Sequence, residues 1–214
     1  MGHARDSLYA ARDDRDVIRL LQGQPFGWLV SPGRDDAAFT PLPLRAECNA
    51  EGHLVALRGH VARRNPHVAR LQRVPRAYAL VIGPQAYLSP GWLDDRSQAP
   101  TWNYTAAAFT VDVACSNDLD DIRDELDALV TSMEAGREAP WSLAELGDRF
   151  AELAKGVTAL HAPIVDTQAT FKLGQDESPH DLTRMLAGLD GSGEHALADW
   201  MRDFRRTRDP RASD

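Results

Sequence analysis

After one short opening helix, the chain reads as strand after strand from residue 26 to residue 115. Well-formed amphipathic helices appear only beyond residue 117. This order constrains the fold more than any other feature, because a doubly wound α/β protein would alternate strand and helix throughout. The opening helix spans about 13–22, with Asp13, Asp14 and Asp16 favouring its first turn and Gly23 stopping it. "FGWLVS" (26–31), "HLVALRG" (53–59) and "YALVIG" (78–83) read as strands. "AFTPLPL" (38–44) fits only an extended edge or an irregular segment, since Pro41 and Pro43 cannot donate ladder hydrogen bonds. A Gly-Pro break is expected after 83, then a short strand at 86–89. "TWNYTAAAFTVDVAC" (101–115) is the longest strand candidate, with the imperfect alternation of a strand buried on both sides. Helices follow at 117–135 and at 141–157, the second opening on Ser142 and Glu145 in capping-box spacing. A long strand or strand pair at 162–175 and helices near 179–188 and 194–206 complete the chain. The pattern predicts an α+β fold around a mainly antiparallel sheet or small barrel. It also predicts one domain over 1–190, trailed by a C-terminal helix and charged tail over 191–214.

Composition excludes several classes. The longest apolar run, "AYALVIG" (77–83), is far short of the ~20 residues that span a bilayer. The charged N-terminal stretch has no apolar core of a secretory signal. Cys48 and Cys115 sit in no ligand spacing and read as buried free thiols. These features predict a cytoplasmic protein with no membrane partner. Nucleotide-binding glycine loops, zinc-protease and nucleophile-elbow motifs are absent. His60 and His67 are seven residues apart, but Pro66 between them argues against a two-histidine metal site.

One segment stands against the acidic background of net charge −8: "RGHVARRNPHVARLQRVPR" (58–76), with six arginines, two histidines and no acid. It has two readings. One is a solvated face pairing with the acids of "DLDDIRDELD" (118–127), worth little per surface pair. The other is an anion site, for which arginine's planar fork is well suited. Trp102 and Tyr104 share a strand face and either stack on a flat ring or form ordinary core. Lys172, in an otherwise apolar strand, either reaches solvent or meets an anion at the sheet edge.

Four stretches together resemble the PaiB-type proteins, described as FMN-binding negative transcriptional regulators. "RGHVARRNP" (58–66) is similar to their G-H-x-A-R-x-N-P motif and "GPQAYLSPGW" (83–92) to G-P-x-A-Y-I-S-P-x-W. "APTWNY" (99–104) is similar to V-P-T-W-N-Y, and "FKLGQD" (171–176) to W-K-L-S-Q-N. The sequence departs from that family in having Pro41 where histidine is usual. It also has Gly174, Gln175, Asp176 and Glu177 where the family reads S-Q-N-R, placing acid in the position of a base.

The resemblance implies a flavin-binding split β-barrel with peripheral helices, assembled as a homodimer. It also implies a cofactor site drawn from His60, Arg63, Asn65, Trp102, Tyr104, Lys172 and Gln175. Arg63 and Lys172 would take the anionic groups of FMN, and Trp102 and Tyr104 would line its ring. A regulatory role with DNA as a partner comes with the family's description. Proteins resembling this family also include haem-dependent piperazate synthases, for which His60 would be the axial ligand. A flavin oxidoreductase, or an interaction protein without a cofactor, completes the set of readings that the residues leave open.

Overall fold

The computed structural model describes residues 8–33 and 36–206. The charged tail from 207 lies outside them. Among the described residues there are eight strands and six α-helices; the helix Pro66–Arg73 and the short strand Arg45–Cys48 add to the expected elements, and Cys48, expected to be buried, is exposed. The elements are α1 (Asp14–Gly23), β1 (Phe26–Ser31), β2 (Ala38–Pro43), β3 (Arg45–Cys48), β4 (Leu54–Ala62), α2 (Pro66–Arg73), β5 (Arg76–Leu88), β6 (Thr101–Asp112), β7 (Ala114–Ser116), α3 (Leu119–Glu134), α4 (Arg149–Ala154), β8 (Val157–Lys172), α5 (Pro179–Gly191) and α6 (His195–Arg206). The strands are hydrogen-bonded in the order β2-β1-β5-β6-β8-β4-β3, with β7 beside β8. The proline-bearing strand β2 lies at one end of that order, as its missing donors require, with Pro41 opposite Trp28 and Pro43 opposite Phe26. At the other end, β3 is four residues long and carries a bulge at Glu47/Cys48.

Three expectations change. The Gly83-Pro84 step does not end a strand, and β5 runs unbroken through it for 13 residues. Gly83 is accommodated because a Cβ there would lie 2.3 Å from both Leu20 Cδ1 and Thr105 Oγ1, so only glycine allows the strand to continue. The stretch 141–157 is not one helix. A 3₁₀ turn at Leu143–Leu146, closed by the Ser142 amide on Glu145 Oε1 at 3.0 Å, stops at Gly147, whose φ of +52° lies in the left-handed region. The short α4 follows. Strand β6 alternates strictly, burying Asn103, Thr105, Ala107, Phe109 and Val111 and leaving Trp102 and Tyr104 on the more open face.

The chain divides into two compact units, one of residues 1–20, 82–107 and 168–214, the other of residues 21–81 and 108–167. In the first, Phe171 packs against Trp200 and Phe204 with ring centroids 5.4 and 5.6 Å apart. Arg12, just before α1, and Arg19 within it lie over Phe204 and Trp200 of α6 at 4.0 and 3.8 Å as cation–π contacts. In the second, Ile122, Leu143, Phe150, Ala154 and Ala159 form a core in which α3 and α4 cover β8. No helix among the described residues is long and apolar enough to cross a membrane.

Candidate functional site

The predicted site residues fall into two groups. His60, Arg63 and Asn65 lie in the second unit, on β4 and the turn into α2. Trp102, Tyr104, Lys172 and Gln175 lie in the first.

The turn after β4 is held by its own motif. Asn65 adopts extended φ and ψ of −63° and 122°, as a residue before proline must, and its side chain accepts the His67 amide at 2.9 Å to cap α2, with Pro66 at the first helical position. Asn65 Nδ2 also donates to Thr40 Oγ1 at 3.2 Å. The Thr40 hydroxyl meets His67 Nδ1 at 2.8 Å, and His67 Nε2 meets Ser31 Oγ at 2.8 Å. With Thr40 accepting from Asn65, the consistent polarity has Thr40 donate to Nδ1 and His67 donate from Nε2 to Ser31. Burial, then the charge of Arg70, holds the His67 imidazole below its ordinary pKa. His67 therefore has both ring nitrogens engaged in a buried network. No metal-binding cluster of three or more His, Cys, Asp or Glu occurs among the described residues.

The arginines of 58–76 do not pair with the acids of 118–127. Arg58 pairs with Glu47, Arg70 with Asp36 at 3.0 Å, and Arg76 with Asp112 at 2.6 Å. Arg63 donates from Nε and Nη2 to the Val157 carbonyl at 3.1 and 3.0 Å, and from Nη2 to the Ala154 carbonyl at 3.4 Å, securing the turn to the end of α4. Ala62, Arg63, Arg64, Lys155 and Gly156 then line a hollow of about 490 Å³, a size found among ligand pockets. Lys155 is held by Glu152 at 2.6 Å, whereas Arg64 is exposed and makes no hydrogen bond or ion pair with the described residues. Arg64 and Lys155 were not among the predicted site residues. The double arginine of "ARRNP" was the available signal for the first, and nothing in the sequence marked the second.

His60 points toward α3 rather than toward this hollow. Its Nδ1 lies 3.8 Å from Glu125 Oε1. The Glu125 side chain is only 2% exposed, and its Oε2 accepts from Arg45 Nη2 at 2.5 Å. Glu125 stands at i+3 from Ile122 in the apolar stripe of α3, and a charge inside such a stripe is the sequence sign of a buried pair.

In the first unit, Trp102 is half exposed, donates its indole N–H to Gln85 and sits edge-on to Tyr87 with centroids 6.1 Å apart. These two exposed aromatics are therefore not core. Tyr104, two residues along the same face, is partly buried. Lys172 Nζ donates to Thr101 Oγ1. Gln175 folds back on its own loop, accepting the Leu173 amide at 2.7 Å and donating to the Phe171 carbonyl, and it borders a pocket of about 130 Å³ with Leu182, Met201 and Phe204. The departures from the family pattern acquire physical accounts here. Gly174 has a φ of +79°, a backbone that favours glycine over serine. Asp176 accepts the Tyr9 hydroxyl at 2.7 Å, which raises the Tyr9 pKa. Burial, then Asp176, pushes the Glu177 carboxyl up from its ordinary value.

One apolar surface lies outside these groups. On β1 and β5, Trp28 pairs with Leu80 and Val30 with Tyr78, and Trp28, Tyr78 and Leu80 are all exposed beside Phe26, itself 64% exposed.

The family described as "Putative FMN-binding domain" matches residues 5–166. The chain is 26% identical over 175 residues to the Protease synthase and sporulation protein PAI 2 of Bacillus subtilis (strain 168), covering 81% of this chain and 83% of that one. Among solved structures, the flavocytochrome Anf3 from Azotobacter vinelandii aligns with a TM-score of 0.57 at 12% identity, over 81% of this chain and 77% of that chain. The FAD and heme binding protein from Mycobacterium smegmatis aligns with a TM-score of 0.55 at 17% identity, over 81% of this chain and 78% of that chain. At these identities the structural likeness speaks to the fold, which is the flavin-binding split β-barrel with peripheral helices.

Proposed function

This chain belongs to the FMN-binding-domain family, and from that premise we propose that it is a flavin-binding protein whose arginine turn receives the FMN phosphate. The observation that supports this most directly is the hollow lined by Arg63, Arg64 and Lys155 at the end of the "GHVARRNP" motif. Arg63 is fixed by carbonyls and shapes the wall. Arg64 has its guanidinium donors available for a charge-assisted bond to phosphate oxygen. FMN would supply redox chemistry. The chain's own residues would bind its phosphate and present polar groups to its ring. The cofactor reading takes precedence over DNA binding because the chain is acidic overall, and Arg58, Arg70 and Arg76 are neutralised by their own acids. The exposed face of β1 and β5 supports a homodimer, with a second copy of this chain as its occupant.

Titrating the purified protein with FMN, followed by flavin absorbance and fluorescence quenching, should show saturable binding. Arg64→Ala should weaken it about tenfold, the equivalent of ~1.4 kcal/mol. No saturable binding, or an Arg64→Ala variant that binds as tightly as the parent, would sink the assignment. A second reading, haem held by His60, draws on the edge of that imidazole turned away from Glu125. A Soret band in the same absorption spectrum, lost in His60→Ala, would select it.

A further inference from the structure

Beneath β4 lies a buried polar group that phosphate binding leaves unexplained. Glu125 Oε2 is bonded to Arg45, but three polar atoms around it are shut from solvent and have no hydrogen-bond partner: Glu125 Oε1, His60 Nδ1 and Arg45 Nε. Oε1 and Nδ1 face one another at 3.8 Å, about 1 Å beyond a hydrogen bond. A ring nitrogen enclosed beside a carboxylate oxygen must carry its proton, because a lone pair there would face a second acceptor. The His60 side chain is 24% exposed although its Nδ1 is not, so its open edge is the one that carries Nε2.

We propose that Glu125 is a positioning residue for His60. Its Oε1 faces the Nδ1 proton across 3.8 Å, an electrostatic contact longer than a hydrogen bond, with Arg45 balancing the carboxylate's charge, and so leaves the Nε2 lone pair directed outward from the sheet. The same logic operates where a carboxylate behind a histidine fixes its tautomer and raises the basicity of the opposite nitrogen. The group recognised at Nε2 is one that takes an imidazole lone pair. In the flavin reading, on which this last step rests, it is an N–H of the isoalloxazine ring.

The test is ¹⁵N NMR of histidine-labelled protein without FMN, with the His60 signals assigned by their loss in His60→Gln. The expected result is a protonated Nδ1 and an unprotonated Nε2. The double variant Arg45→Met, Glu125→Leu removes both charges together, which buried pairs tolerate far better than removal of one partner. Its fold is checked by circular dichroism and by the unchanged signals of the other histidines. In that variant His60 should lose the Nδ1–H form and revert to the Nε2–H tautomer favoured by free histidine. An Nε2–H tautomer in the parent protein, or an Nδ1–H tautomer that survives in the folded double variant, would overturn the proposal. Because the tautomer is read without cofactor, failure to bind FMN would refute the flavin reading and leave this result intact.

Discussion

Two histidines seven residues apart have opposite roles. His60 keeps one ring edge open, whereas His67 is enclosed between Thr40 and Ser31. The sequence allowed the pair to be considered as metal ligands. It could not show that β1 and β2 bring two hydroxyls to His67, because that meeting depends on strand register and not on spacing. The consequence is a pH dependence of stability. Since the folded imidazole lies below its ordinary value of 6.5, the unfolded chain binds the proton more readily. The stability His67 contributes is therefore fully present above pH 6.5 and is lost as pH falls through the lowered folded value. Urea denaturation of the parent between pH 7.5 and 5 should show a decline that is shallower in His67→Gln, and parallel curves for the two proteins would contradict the assignment. The arginine turn was half legible at this scale. "ARR" announced the charge, but only the structure shows Arg63 engaged by carbonyls and Arg64 left exposed.

Element by element, the type and order of the longer strands and the late helices were readable, whereas the helix α2 and the continuity of β5 were not. Hydrophobic alternation located β1, β4 and β6, and the prolines located β2 at a sheet end. The Gly-Pro step inside β5 and the capping box before α4 misled in opposite directions. The Gly-Pro step suggests a break where there is none, because Leu20 and Thr105 close on a glycine without a side chain. The capping box suggests the start of a long helix, yet the turn it opens ends at Gly147. Gly83→Ala accordingly should destabilise the protein by roughly 1–3 kcal/mol, the usual cost of overpacking. A denaturation midpoint equal to the parent's would show that Leu20 and Thr105 yield freely. β6 carries the clearest lesson. Over its first five residues the buried face carries the polar Asn103 and Thr105 and the open face the aromatic Trp102, the reverse of the usual assignment, whereas Ala107, Phe109 and Val111 further along are ordinary core. Such a reversal is what a ligand-facing or partner-facing strand requires.

For the whole molecule, the split-barrel fold was legible through four short motifs considered together, while the assembly was not, since no motif records which sheet face is covered. The exposed row of Phe26, Trp28, Tyr78 and Leu80 predicts a dimer that forms through this face. Light scattering should give twice the chain mass for the parent and the monomer mass for Trp28→Glu, Leu80→Glu; a monomeric parent would end the homodimer proposal. The net charge of −8 opposes association, so the dimer is expected to tighten as salt screens it. The ends of the strand order bear on the same question. At β2, Pro41 and Pro43 remove amides that an incoming strand would need, and β3 is short, bulged and charged. Neither margin can template a further backbone. Strand-to-strand growth is therefore disfavoured at both ends of the order, and a second copy is expected to pair through side chains rather than backbone.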